Sequence, residues 1–506
     1  SSLPSIPFIS AATLAICVAS GCGSTPGSDG AIAASAGAHP QAGRCEAGGS
    51  TLTPLGGLDQ SNGVALGKFK EGPLAGKTLA FVADEDDNAV VVVDVDTRKE
   101  ISKVKLDAAV GQVFIAQDGR VLATVRGGNQ LTALHPATDG TLAKGCAVPT
   151  AAEPIAMAVT PDQKTLLVSA GWGRAVESFD LATLTKKAKV DLPREPRTIV
   201  IDDAGQTAYV SHAMGAKLSI IDIPTMKATR SLDYIVSAET LHNQNDERPF
   251  SLASAVTGAV GSGEKLVPGR FGTKMGCQGF PMVKSVEPKG RILAPQILVD
   301  PGDPENRSEG YGEGGMPTEV ANVAVIDTGT RRFVSSSVAE VPDRHFFGGD
   351  EVAQGECLLP RSAAVDTKSS TLFVTCLGID SVVAYDSASA NPVSVEKARY
   401  QVASGPMGVA VDAQNARLVV WSQFERAVDV VDISPSAKPK QKPDRIALKA
   451  MDSPLGLGFV LGRQIFHAVG DARISADGRT CASCHPDGRD DAITWARQRG
   501  WTVRWG

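Results

Sequence analysis

The residues with the most specific chemistry lie near the C-terminus, in the run Cys481-Ala-Ser-Cys484-His485. Two thiols at this separation, followed directly by an imidazole, have the Cys-x-x-Cys-His spacing of c-type haem attachment. The thiols reach the two vinyl groups on one edge of the porphyrin, and the adjacent imidazole coordinates the iron. A redox pair of cysteines is expected beside a βαβ pattern, and a zinc site needs two more ligands nearby; the sequence offers neither. The run therefore predicts one covalent haem c, held by Cys481, Cys484 and His485.

The sixth ligand of such an iron is not given by the motif. None of the eight methionines lies beyond Met451, and among the seven histidines His467 is the nearest candidate. A single histidine on a helix is also commonly a surface or packing residue, so both interpretations of His467 stay open. A histidine ligand would give a six-coordinate iron suited to electron transfer, whereas water or an open position would permit peroxidase-like chemistry.

Two runs before the motif carry a family resemblance. They are Gly462-Arg463-Gln-Ile-Phe466 and Ile474-Ser475-Ala-Asp-Gly478. Together with the motif, they resemble the first haem domain of the bacterial di-haem cytochrome c peroxidases, over 462–506 only. The resemblance implies thioethers at Cys481 and Cys484, a proximal His485, and a helix through the first run that packs against the haem.

The chain departs from that family in two ways. It has a single Cys-x-x-Cys-His, so the second haem of the peroxidases is missing, and few residues follow His485 to cover the other haem face. We therefore expect 462–506 to form a short, incomplete α-helical cytochrome c segment. The ending 495–505 has no clear periodicity, and a truncated product and a basic aromatic docking tail both remain interpretations of it.

Most of the chain before that segment repeats a pattern of four short apolar runs separated by Gly, Asp, Asn or Pro turns. Equivalent turn positions at Asp118, Asp162 and Ala204 lie 44 and 42 residues apart. Runs of this length, rich in Val, Ile, Ala and Thr, are typical of strands, so each unit is a four-stranded antiparallel meander. Such units stack to bury their faces, and a period of about 40 to 45 residues is typical of propeller blades.

We therefore predict an all-β fold, a seven-bladed β-propeller. Its blades are recognisable between about Thr78 and Leu461, in a domain spanning 51–461. The repeat resembles that of the YVTN-type β-propeller proteins, which implies the fold and leaves the activity open. The acidic run 84–88 falls at a blade turn, where Asp and Asn are expected for turn geometry, and we interpret it as structural.

The N-terminus has the features of an export signal. The apolar stretch from Ile6 to Ala19 has the length of a signal h-region and is short for a membrane span. Small residues lead into Cys22, which resembles the lipidated cysteine of a bacterial lipobox; an ordinary cleaved signal with a chance cysteine is the alternative. We expect a signal in 1–22, a flexible Gly/Ala/Ser linker in 23–50, and a lipoprotein of the periplasm, outer membrane or cell surface.

The cysteine count and the net charge limit the possible disulfides and binding partners. Five of the nine cysteines lie outside the signal and the haem motif, so at least one is unpaired in an oxidising compartment. Cys357 and Cys376 flank two apolar runs joined by the turn 367–370, and a hairpin would bring them together as a disulfide. The net charge of -6 gives no reason to expect nucleic acid. A membrane is expected only through a lipid anchor on Cys22.

Three functions remain open from these observations. The first is an exported haem protein of electron transfer, in which the propeller is a docking or binding scaffold for a redox partner or small-molecule substrate. The second is a peroxidase-like haem oxidoreductase, and the third is a binding or surface propeller whose haem segment is vestigial. No hydrolase triad, phosphate loop or metalloprotease motif is visible, so catalytic residues stay unassigned.

Overall fold

Seven antiparallel β-sheets follow one another in chain order as the blades of a ring. Proline begins the first strand of four blades, where its missing N–H costs least: Pro154, Pro196, Pro360 and Pro406. A residue with a positive φ precedes β4 in blade 1 and the third strand in blades 2, 3, 4, 6 and 7, as at Asn88 (48°) and Asn129 (51°), and asparagine adopts this conformation readily. The prediction of an all-β, seven-bladed propeller is confirmed.

The first four blades contain β1 to β17. Blade 1 has β1 (Leu52–Pro54), β2 (Val64–Phe69), β3 (Leu79–Asp84), β4 (Ala89–Asp94) and β5 (Lys99–Lys105). Blade 2 has β6 (Val110–Ile115), β7 (Val121–Val125), β8 (Gln130–Pro136) and β9 (Leu142–Pro149). Blade 3 has β10 (Pro154–Val159), β11 (Thr165–Ala170), β12 (Ala175–Asp180) and β13 (Lys186–Asp191). Blade 4 has β14 (Pro196–Ile201), β15 (Thr207–His212), β16 (Lys217–Asp222) and β17 (Lys227–Asp233).

The remaining blades contain β18 to β33. Blade 5 has β18 (Ile235–Val236), β19 (Lys274–Cys277), β20 (Val283–Lys284), β21 (Arg291–Val299), β24 (Glu319–Asp327) and β25 (Arg332–Phe333), with a separate pair β22 (Gly302–Asp303) and β23 (Ser308–Glu309). Blade 6 has β26 (Pro360–Asp366), β27 (Thr371–Cys376), β28 (Ser381–Asp386) and β29 (Glu396–Gln401). Blade 7 has β30 (Pro406–Asp412), β31 (Arg417–Ser422), β32 (Ala427–Asp432) and β33 (Asp444–Ala447).

A C-terminal segment follows the last blade. It contains helix α1 (Leu457–His467), helix α2 (Cys481–Cys484), and a hairpin of β34 (Thr494–Arg497) and β35 (Trp501–Arg504). Short 3-10 turns lie at Leu377–Ile379, Pro392–Ser394 and Pro486–Gly488. The C-terminal residues that showed no clear periodicity in the sequence therefore include a regular hairpin. Its Trp495 is buried against the propeller, which stabilises it there.

The computed structural model describes residues 45–56, 60–236, 274–299, 301–303, 308–309, 319–334, 356–437, 442–471, 473–475, 479–497 and 501–504. These residues belong to one compact unit, Ala42–Gly506. The expected signal with Cys22, and the linker before Cys45, lie outside the described residues. In the described part of the chain, no helix has the length and apolar character needed to cross a membrane.

The core consists of apolar clusters between neighbouring blades, one for each of the seven contacts around the ring. The cluster between blades 7 and 1 contains Trp421 and Val82, so the ring closes by packing between its first and last blades. Gly63 and Gly408 permit this close approach, because a Cβ on Gly63 would lie 2.9 Å from the carbonyl oxygen of Met407. Burial of apolar surface between blades is therefore what stabilises each one.

Blade 1 includes two strands ahead of the run at Leu79, where the repeat was first recognisable. These are β1 and β2, and Gly67 and Lys68 interrupt the apolar pattern of β2. The last blade strand ends at Ala447, and α1 begins at Leu457. Only blade packing reveals that β2 belongs to the ring.

Candidate haem-attachment site

The haem motif forms one helical turn. Cys481 and Cys484 are the first and last residues of α2, so their side chains share a face, and both are thiols. Thr480 and Ser483 form a capping box at its start, which stabilises so short a helix. Cys481 is exposed and Cys484 is half-buried, while Ala482 and Ser483 between them are buried.

Blade 5 holds this turn in place. The side chain of Gln278 donates from Nε2 to the carbonyl oxygen of Ala482 at 2.7 Å, and Ser483 donates from Oγ to Glu319 at 3.0 Å. Gln278 and Glu319 are themselves buried, so these hydrogen bonds are shielded from water. The two residues between the cysteines therefore dock the motif on the propeller and leave the exposed thiol of Cys481 on the opposite side.

The histidine of the motif is oriented by a backbone carbonyl. His485 Nδ1 lies 2.9 Å from the carbonyl oxygen of Arg489, and because a carbonyl only accepts, Nδ1 carries the proton. In that tautomer Nε2 has the lone pair that an iron ligand needs. A hydrogen bond from the other ring nitrogen to a carbonyl is the usual support of a metal-binding histidine.

Helix α1 brings His467 against the propeller. Its ring lies 5.3 Å from that of Phe424 in blade 7, and its Nδ1 donates to the carbonyl oxygen of Arg463 at 2.8 Å. Burial, with the charge of Arg361 acting in the same direction, lowers the pKa of His467 to about 4. Arg463 anchors the helix by donating to both oxygens of Asp86, at 2.9 and 2.8 Å.

The outer face of α1 is apolar and uncovered. Leu457, Leu461 and Ile465 follow one another at intervals of four residues and are 73, 49 and 52 % exposed. Gly458 and Gly462 on the same helix have open space where a side chain would be. A helix in water normally buries such a face, so this surface is suited to an apolar group or partner.

The turn after His485 reaches the mouth of the ring. Asp487 has a positive φ of 52° in the sequence Pro-Asp-Gly, which favours a tight turn, and accepts a hydrogen bond from Arg197 Nη2 at 2.8 Å. Burial would raise the pKa of Asp487, but the charges of Arg197, Arg361 and Arg126 outweigh it and hold the pKa well below its usual range.

Further pairs fasten the same segment to other blades. The side chain of Arg489 contacts Glu153 at 2.8 Å and also pairs with Glu195, and Asp490 pairs with Arg194 at 3.2 Å. The backbone of Val469 donates to the carbonyl oxygen of Gly378 at 3.0 Å. These contacts involve blades 3, 4 and 6, so the segment spans the face of the ring at which the first strand of each blade begins. We call this the entry face.

The residues present fit a covalent haem. One thiol of the pair is exposed, the adjacent imidazole has its ligand nitrogen set by Arg489, and an exposed apolar helix face lies on the same segment. Cys481, Cys484 and His485 are together on one turn, whereas the ring of His467 lies against Phe424. In the described ranges, no group of three or more His, Cys, Asp or Glu side chains is arranged to hold a metal ion by itself.

Two disulfides accompany the site. Cys357 and Cys376 are bonded, with Cα atoms 5.0 Å apart, as the hairpin of β26 and β27 allows. Cys45 and Cys146 form a second bridge that sequence reasoning left open. Cys277 is a buried thiol, as an odd count requires.

Sequence reasoning missed the residues that hold the segment. Asp86 lies in the acidic turn interpreted as structural, and nothing local indicates its pairing with Arg463. Arg197 and Arg361 each follow the proline that begins an inner strand, so an alignment of blades would show the same Pro-Arg pair in blades 4 and 6. The Pro-Asp-Gly run around Asp487 is typical of a tight turn, so the turn could have been predicted from the sequence.

Comparison with known proteins supports the fold. No protein-family model matches the chain, and no curated protein matches it. A hydrazine synthase structure from Kuenenia stuttgartiensis is similar, with a TM-score of 0.50 and 14% identity, over 70% of this chain and 93% of that one. A functionally unknown protein from Desulfotomaculum acetoxidans aligns over 73% of this chain and 99% of its own, with a TM-score of 0.44 and 9% identity. At such identities the first likeness shows the propeller fold alone.

Proposed function

We propose that this chain is an exported haem c protein of electron transfer, with the propeller as the scaffold that presents the haem to a partner. The observation that carries the proposal is the Cys481–Cys484–His485 turn, with its thiols on one face and its imidazole tautomer set by a carbonyl. Cys481 and Cys484 would form the thioethers, and His485 would be an axial ligand. Bound there, the iron would cycle between two oxidation states.

Export is supported by the disulfides. Cys45–Cys146 and Cys357–Cys376 are bonds that form and persist in oxidising compartments such as the periplasm. Covalent haem attachment through two cysteines requires their thiols to be kept from such pairing until the haem is joined. The proposal therefore includes a periplasmic or surface location, with Cys22 as the lipidated residue.

Haem attachment is tested by expressing the full chain with c-type maturation machinery and staining for haem after denaturing electrophoresis. We expect the stain to persist, because thioether bonds survive unfolding, and to disappear in the Cys481→Ala/Cys484→Ala variant. Cys277→Ala is the matched control, since it removes the other thiol of the described residues and should leave the stain unchanged. Retained stain in the double variant would place attachment elsewhere.

Electron transfer is separated from peroxidase chemistry by the sixth ligand. His467 shares with His485 an Nδ1 hydrogen bond to a backbone carbonyl, which puts the lone pair on Nε2 as ligation needs. We expect a low-spin ferric spectrum that becomes high-spin in His467→Ala and is unchanged in His135→Ala, a histidine of blade 2. A high-spin wild type that turns over a donor with peroxide would instead establish the peroxidase alternative.

A further inference from the structure

A small cavity lies at the mouth of the ring, beneath the C-terminal segment. It has a volume of about 70 Å³. The start of the inner segment of every blade contributes to its wall: Gly63, Val110, Ile155, Arg197, Phe280, Arg361 and Met407. Asp487 closes it on the side of the segment. Other polar side chains of the wall are those of Trp421, Glu85, Arg126, Gln112 and Gln423.

The cavity wall carries buried hydrogen-bond donors without acceptors. Arg361 has no hydrogen-bond partner at Nε or Nη2, and Arg197 Nε and Trp421 Nε1 are likewise unpaired within the described residues. These three side chains are 6, 2 and 0 % exposed. None of these nitrogens can act as an acceptor, so the free energy of the site falls if an acceptor-rich group enters.

The two unpaired nitrogens of Arg361 form a donor edge of specific shape. Nε and Nη2 form one edge of the guanidinium, whose parallel N–H bonds match the two oxygens of a planar oxyanion. The nearest carboxylate is Asp487, whose Oδ1 lies 3.8 Å from Nη2, beyond hydrogen-bond distance. The ring of Phe280 lies 3.7 Å from Arg361 Cζ and holds the guanidinium plane in place.

The charge of the wall is positive. Arg126, Arg197 and Arg361 face two carboxylates, Glu85 and Asp487. Burial raises the pKa of Glu85, and the charge of Arg126 opposes that effect. Burial lowers the pKa of Arg361 to about 10. The charges of Arg197 and Arg126 also lower it, whereas the charge of Asp487 raises it.

We propose that this cavity binds a small planar oxyanion, a carboxylate of the size of formate or acetate, through a bidentate contact with the Nε and Nη2 edge of Arg361. Trp421 Nε1 is a further donor to the same ligand, and Arg197 contributes charge. This site is independent of the haem proposal, because it uses none of the motif residues.

The test is isothermal titration of the full chain with sodium formate and sodium acetate, at constant ionic strength held by potassium chloride. We expect saturable binding of one anion per chain. Arg361→Lys keeps the positive charge but loses the planar edge, and should weaken binding at least about tenfold. Arg445→Lys is the matched control: its guanidinium pairs with Asp429 on the outer part of blade 7, and binding should not change.

Two further measurements keep the proposal open to refutation. If Arg361→Lys does not fold by circular dichroism, Trp421→Phe removes one donor within a similar aromatic ring and should weaken binding by about threefold. Absence of saturable binding in the wild type would mean that the cavity does not select a carboxylate, and would overturn the proposal. Equal binding in Arg361→Lys, or displacement of formate by chloride at equal concentration, would also overturn it.

Discussion

Replacing Asp487 by Asn should release the C-terminal segment from the propeller without unfolding the ring. The carboxylate receives a hydrogen bond from Arg197 at 2.8 Å and lies within 3.8 Å of Arg126 and Arg361. Arg197 is 2% exposed and Asp487 22%. The substitution keeps the volume of the side chain and removes its charge, so any loss of docking free energy measures the electrostatic contribution of the carboxylate.

The magnitude follows from burial. Breaking a fully buried pair costs about 3–5 kcal/mol and an exposed one about 0–1 kcal/mol. Asp487 lies between these cases, and Arg197 keeps a second partner in Glu195 at 3.0 Å, so we expect a loss of about 2 kcal/mol of docking free energy. That loss corresponds to about thirtyfold faster amide exchange through opening of 479–497.

Hydrogen exchange read by mass spectrometry measures this directly. Peptides from 479–497 should exchange faster in Asp487→Asn, while those from β14 to β16 stay unchanged. Asp490→Asn is the matched control, because its partner Arg194 is 48% exposed and the pair should contribute little. Equal effects of the two variants, or no effect of Asp487→Asn, would refute the role assigned to the arginines.

The pH dependence of docking has a defined sign. The pKa of Asp487 is held below its usual range in the folded state, so its contribution is complete above the ordinary carboxyl pKa and is lost as the pH falls through the lowered value. Exchange in 479–497 should therefore stay slow, after correction for intrinsic rates, down to acidic pH.

Two other predictions concern the ring. Burial lowers the pKa of His212 from 6.5 to about 4, so its neutral form contributes its full stabilisation above the unfolded pKa. The free energy of unfolding should fall by about 3 kcal/mol as the pH drops from 6.5 to 4. His212→Gln should reduce that dependence in urea unfolding measured at several pH values. The Cys45–Cys146 bridge closes 101 residues, so Cys45→Ser/Cys146→Ser should lower the free energy of unfolding by about 3–4 kcal/mol, whereas an unchanged urea midpoint would contradict this.

The blades could be predicted from the sequence because their pattern is local, and the haem prediction, which stays a prediction, also rests on a local run. Each blade is a meander whose strands are neighbours in the chain, and their apolar runs and turn residues, such as Asn88 and Asn129, repeat at a nearly constant interval. The Cys-x-x-Cys-His run likewise has its chemistry within five consecutive residues. The Cys357–Cys376 pair belongs to the same class, since one hairpin brings the two together.

Only the tertiary structure decided what surrounds the motif. Arg126, Arg197 and Arg361 come from three different blades and meet Asp487 from the C-terminal segment, and Cys45 reaches Cys146 in blade 2. No short window of sequence contains these partners. Their proximity depends on closure of the ring, which brings seven inner strands to one axis and gives buried charges a common cavity. Local patterns therefore determine the blades and the motif, whereas the packing of distant blades determines where the motif docks and which charges face it.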